Sequence, residues 1–199
     1  MRSDALYRKN RTVKIKILVL AAGIVLFCGF GWFKKAKKAA APPEQTIQAQ
    51  DLPAGYALLF KLLSDEKDVS KLLIIKHENR ALHDLIKEIS NVTGDAHKTL
   101  EKFGKTAALN LKEPQLPVIE TAARESISKE KAKQLLGAKG DDFQFRLLLS
   151  QDEALTYGRH LALAITKGET EAARKEFLES LAARLDELQD RVMQMLSKS

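Results

Sequence analysis

The residues with the types and spacing for chemistry stand together in "DDFQFRLLLSQDEALTYGRHLALAIT", residues 141–166. Asp152 and Arg159 are seven apart, as are Glu153 and His160. With Leu148 at the centre of a buried helical face, a turn of about 100° per residue brings Leu155 within about 20° of it. Asp152 and Arg159 then fall within about 40°, and Glu153 and His160 form a second pair at the same spacing. A carboxylate or guanidinium facing inward needs a partner, because an isolated buried charge is costly. The functional reading is a polar site within a helical bundle, formed by Asp152, Glu153, Arg159 and His160 with a carboxylate such as Glu120 from a neighbouring helix. The plainer reading, which the residue types favour, is an ion-pair network that fixes helix register, or a rotation that leaves these groups at the rim.

Other polar clusters carry less. His77, Glu78, His83 and Asp84 fall at a helix start, but His77 and His83 are six residues apart. That spacing turns them about 120° away from each other on one helix, so they cannot ligate one ion together. His97 and Glu101 form an i,i+4 pair with the spacing for weak metal binding, but it reads most simply as exposed. No Gly-rich phosphate loop, no GxSxG and no CxxC occurs. The single cysteine, Cys28, sits in an apolar run, so a thiol nucleophile has no place in the rest of the chain. No catalytic residue, metal-ligand set or cofactor is implied, and the chain reads as a non-enzyme.

The elements that must hold these residues are helices. No period-2 alternation persists, and turn dipeptides are few. A short piece is expected at about 55–63, a second short piece around "VSKLLIIK", and a long helix at about 78–106. In the long helix Leu82, Ile86, Ile89, Thr93, Ala96, Leu100, Phe103 and Ala107 keep a heptad-like seam. Pro114 and Pro117 break the chain. Helices follow at about 118–136, 142–166 and 169–197. The first would bury Ile119, Ala122, Ala123, Ile127, Ala132, Leu135 and Leu136; the last would bury Leu178, Leu181, Leu185, Leu188, Val192 and Met195. Gly137 is the expected C-cap and Asp141 the next N-cap. Four long helices joined by short connections predict an up-down-up-down bundle, with the shorter pieces covering one end or side of its core.

Ahead of the helices lies "KIKILVLAAGIVLFCGFGWFKKAKK". Its seventeen central residues, Ile17 to Phe33, are uncharged. The run is longer than the apolar region of a signal peptide, and it exits through Trp32, Phe33 and lysines instead of a small-x-small cleavage site. Phe27 stands where a lipoprotein signal needs a small residue before the cysteine. A membrane helix needs about 20 predominantly apolar residues, and Ile15 extends the run across Lys16, whose side chain can snorkel. Trp32 and Phe33 fit an aromatic belt. The expected organisation is a basic tail at 1–14, a transmembrane anchor with basic flanks at 15–38, a linker at 39–54 and a helical bundle at 55–199.

Charge supports this division. The net charge is +7, but residues 1–38 hold ten Lys/Arg and one Asp, while the remainder holds 23 Lys/Arg and 25 Asp/Glu. The bundle is therefore slightly acidic, which argues against a nucleic-acid partner. The basic flanks suit anionic headgroups of a lipid bilayer. Six Lys/Arg precede the run and four follow it, a bias that puts the N-terminus in the cytoplasm and the bundle outside, in the periplasm of a bacterium. Gly23, Gly29 and Gly31 leave self-association open, although no GxxxG spacing occurs.

"HKTLEKFGKTAALNL" and the following "LPVIETAARESISKEKAKQLLGAKGDDFQFRLLLSQDEALTYGRHLALAI" resemble secreted or membrane-anchored ferritin-like bundles of unknown function, over residues 97–197. The resemblance implies a four-helix bundle. It does not bring iron chemistry, because di-iron bundles of this kind use Glu-x-x-His motifs. Here Ile74, Arg80, Gly94 and Tyr157 stand three residues before the four histidines. The expected function is that of a single-pass membrane protein acting as a protein-interaction or accessory subunit of a membrane complex. The alternative is a metal- or small-ligand-binding ferritin-like bundle.

Overall fold

The computed structural model describes residues 47–74, 80–107, 109–111 and 116–198. The apolar run, its basic flanks and most of the linker lie outside the described residues, as do His77 and Glu78. Among the described residues the chain is all-helical: α1 Leu52–Glu66, a 3-10 segment Val69–Ile74, α2 Arg80–Thr106, α3 Val118–Gly137, α4 Gly140–Gly168 and α5 Ala172–Leu196. None of these helices is long and apolar enough to cross a membrane.

Local chemistry sets the ends. Pro53 stands in the first turn of α1, where its missing N–H costs nothing, so the helix starts three residues before the apolar pattern indicates. Pro117 is the N-cap of α3. Gly137 is the last residue of α3 and Ala138 its C-cap, while Lys139 is the N-cap of α4. Gly140 has φ +53°, a left-handed conformation that glycine adopts freely, and it turns the chain so that Asp141 falls inside the first turn of α4. Glu171 caps α5, its carboxylate accepting from the Ala173 and Arg174 amides at 3.1 and 2.8 Å.

Cross-helix contacts give the arrangement. A Cβ on Gly55 would meet Ile165 and one on Gly158 would meet Leu62, so α1 runs antiparallel to α4. Phe60 stacks on His97 and Ser90 bonds the Lys67 carbonyl, so α1 is also antiparallel to α2. Arg159 pairs with Asp186 and Gln189 with Asp152, setting α4 against α5. Phe103 packs on Phe177 while Glu88 meets Arg184 and Arg191, setting α2 against α5. Four helices thus form a ring in the order α1, α2, α5, α4, each antiparallel to both neighbours. Its core includes Tyr56, Leu59, Leu63, Leu82, Ile86, Ile89, Leu100, Leu147, Leu148, Leu155, Leu178, Leu185, Leu188 and Val192.

The long-helix seams expected for α2 and α5 are buried, apart from half-buried Phe103, Ala107 and Met195. The membership of the bundle differs from expectation. Helix α3 is not one of the four: it buries only Leu135, while Val118 and Ile119 are 87% and 82% exposed and Ala122, Ala123 and Leu136 also face solvent. The short α1 takes its place. Two physical reasons account for this. First, "YALLFKLL" gathers Tyr56, Leu58, Leu59, Phe60, Leu62 and Leu63 in about two turns, whereas α3 spreads its apolar residues along its whole length and three of them are alanines, and burial of apolar area is worth about 25 cal/mol per Å². Second, α2 and α4 run in the same direction on opposite corners of the ring, so the chain must travel the length of the bundle between them. Helix α3 is that return, lying antiparallel to α4 on its outer side, where Arg124 bonds Tyr157, Lys131 pairs with Glu153 and Arg146 bonds Gln134.

Candidate functional site

The structure places Asp152, Glu153, Arg159, His160 and Glu120 on three different surfaces of α4 and α3. Asp152 is half-buried towards α5, where Gln189 donates to it at 2.9 Å. Arg159 also faces α5 and pairs with Asp186; its Nη2 lies 3.1 Å from His160 Nε2. His160 is otherwise exposed. Glu153 faces the other way and pairs with Lys131 of α3. Glu120 stays on its own helix, bonded to Arg124 at 2.6 Å. The expected inward placement of Asp152 and Arg159 is seen to the extent of half-burial, and each of these carboxylates has a different partner. The residues do not converge on one point. The arrangement is that of links between helices.

Beside Glu153, the C-terminal half of α3 and the N-terminal half of α4 leave a shallow cleft of about 90 Å³ lined by Lys131, Gln134, Leu135, Arg146, Leu149, Ser150 and Glu153. Lys131 and Arg146 are each already engaged, the latter with Asp142 at 2.8 Å. Among the described residues no group of three or more His, Cys, Asp or Glu is placed to hold a metal ion. His83 and Asp84 are exposed, 3.7 Å apart.

The polar groups that are buried lie elsewhere. At the α4–α5 turn, Glu169 is 6% exposed. Its carboxylate receives Arg174 through two nitrogens at 2.9 and 2.8 Å and the amides of Thr170 and Glu171 at 2.9 and 2.8 Å. Tyr56 donates to it at 2.5 Å. The bonds from Arg174, helped by Tyr56 and the Glu171 amide, outweigh burial and hold Glu169 down at about 2. Between α1 and α2, His97 is stacked on Phe60 with ring centroids 4.2 Å apart, and Lys67 donates to its Nε2 at 3.3 Å. Burial and then the Lys67 charge lower its basicity, and Glu101 and Asp68 partly oppose them. At the centre of the bundle, Glu66 and Gln151 are 5% and 2% exposed, and the Gln151 side chain hydrogen-bonds the Glu66 carboxyl.

Sequence reasoning passed over Glu66, because "SDEKD" reads as a polar break. The stripe itself was visible: Leu59, Leu62, Leu63 and Glu66 continue one helical face, and Leu147, Leu148, Gln151 and Leu155 another. Comparison with family models, with curated proteins and with solved structures returned no match to this chain.

Proposed function

We propose that the chain is a single-pass membrane-anchored helical bundle that serves as a protein-interaction or accessory subunit of a membrane complex. The observation that carries this reading is the outer helix α3. It leaves Val118 and Ile119 in water at its N-terminal end, and Ala122 and Ala123 beside them. Two large apolar side chains exposed side by side at 87% and 82% give a partner protein apolar area to bury. The uncharged run Ile17–Phe33 with basic flanks supplies the anchor, and its charge bias directs the bundle outside the cytoplasm. The slightly acidic bundle and its dispersed ion pairs favour contact over catalysis.

A photo-crosslinking residue at position 119, activated in intact cells, tests the contact. The expected result is a discrete crosslinked product with a second protein, absent when the crosslinker is moved to position 133. Diffuse or equal labelling at both positions would count against the reading. Protease added to intact vesicles and cells tests the side: the bundle is expected to be cut from outside the cytoplasm only.

A further inference from the structure

The Glu66–Gln151 pair is left incomplete by the protein's own donors. Glu66 Oε2 and Gln151 Oε1 are both buried and neither has a hydrogen-bond partner. Both are acceptors as long as Glu66 is ionised. Among the described residues no cation pairs with Glu66. The groups around it are otherwise occupied. On α1, Asp65 is held by Lys61 at 2.6 Å; just beyond, Lys67 faces His97 and Asp68 pairs with Lys71 at 2.7 Å. On α2, Ser90 donates to the Lys67 carbonyl and Thr93 to the Ile89 carbonyl at 2.8 Å. On α4, Ser150 donates to the Leu147 carbonyl at 2.8 Å and Asp152 accepts from Gln189 of α5. Among the described residues the neighbouring charge that acts on Glu66 is Asp65, which opposes its ionisation.

One proton resolves both vacant acceptors. Placed on Glu66 Oε2, it makes that atom a donor for Gln151 Oε1, while the Gln151 amide continues to donate to the other carboxyl oxygen. The result is a neutral acid–amide pair with every polar atom satisfied, which is what a buried polar pair requires. A hard metal cation is a poor substitute, since two oxygens fall far short of the six or more it takes.

We propose that Glu66 and Gln151 form a proton-operated latch, in which uptake of a proton by Glu66 clasps the C-terminal end of α1 to the middle of α4 and its release loosens that end. Burial, the largest cause, independently pushes Glu66 up to about 7 from an ordinary 4.5. The folded state then binds the proton more tightly than the unfolded chain. Stability is full below about 4.5, falls as pH rises towards 7, and levels off above it, opposite in sign to a salt-bridged carboxylate. Across that window the folding equilibrium is expected to weaken by roughly a hundredfold or more through this one group.

The test is urea unfolding of the full chain in mild detergent from pH 5 to 8, wild type beside Glu66→Gln, whose amide keeps a donor where the proton sits. The expected result is that the wild type loses stability relative to the variant as pH rises. Parallel pH profiles would overturn the latch. Carbon-13 NMR titration of the Glu66 carboxyl in the wild type decides the matter even if the variant does not fold. A midpoint near 7 supports the proposal, and a midpoint near that of an exposed glutamate overturns it.

Discussion

The hydroxyl of Tyr56 donates to the carboxylate of Glu169 at 2.5 Å, joining residues 113 apart in sequence and tying the first helix of the bundle to the turn between the last two. The same carboxylate carries Arg174 and two backbone amides, so the contact has little freedom to shift. Tyr56→Phe keeps the ring in the core and removes the bond. It is expected to cost about 2 kcal/mol, the usual worth of a hydrogen bond to a charged group, measured by chemical denaturation at pH 7. The pH dependence has a definite sign. Glu169 is held at about 2 against an ordinary 4.5, so its contribution is complete above 4.5 and is lost as pH falls towards 2. Glu169→Gln is expected to flatten the acid limb of the stability profile.

Gly158 marks a close approach of α4 to both α1 and α5. A Cβ there would lie 2.8 Å from Leu62 of α1 and 3.1 Å from Leu185 of α5. Both leucines are 2% exposed and have little room to move. Gly158→Val is expected to destabilise by about 1–3 kcal/mol through overpacking, despite removing a helix glycine. A denaturation midpoint equal to the wild type would mean that α1 sits farther from α4 than described.

Asp152 separates a link from a site. It is half-buried and its described partner is the Gln189 amide. Asp152→Ala is expected to cost about 1 kcal/mol or less and to leave partner binding unchanged. Loss of binding with stability intact would restore Asp152 to a functional role.

Helix α3 buries one residue, Leu135, the fewest of the five described α-helices, and local stability follows such burial. Its amides are expected to exchange with deuterium well before those of α4 and α5, measured by mass spectrometry of the intact protein. Equal protection across the three helices would show that α3 is covered by something else, or packed more tightly than its side chains suggest.

The all-helical class and the seams of α2 and α5 were legible because a 3-4 rhythm of mostly large apolar residues, sustained over the 18 residues from Leu178 to Met195 and longer still in α2, admits one face only. The face of α4 was legible from the seven-residue spacing of Leu148 and Leu155, both buried. The place of α3 was not, because Ile119, Ala123 and Ile127, each four apart, also mark one helical face while supplying too little area to hold a corner of the bundle. Periodicity names a face and says nothing of what meets it. Asp152 and Arg159 of α4 lean inward to half-burial, while Glu153 turns to α3 and His160 is exposed; the partners Lys131, Asp186 and Gln189 lie on other helices and depend on rotations that no single-helix projection contains. Glu66 was hidden by its own neighbours: Ser64, Asp65, Lys67 and Asp68 make the stretch look solvated, and burial of one carboxylate among them is a consequence of tertiary packing.

The most direct measurement for a partner-binding role is native co-purification of the full chain in mild detergent, with mass spectrometry and sizing, for the wild type and for a Val118→Asp, Ile119→Asp double variant. Both substitutions are exposed and are expected to change stability by no more than about 0.5 kcal/mol. The expected result is a second protein in fixed proportion with the wild type and its depletion with the variant. A wild-type chain that runs as a monomer with no companion, or a companion retained undiminished by the variant, would contradict the account.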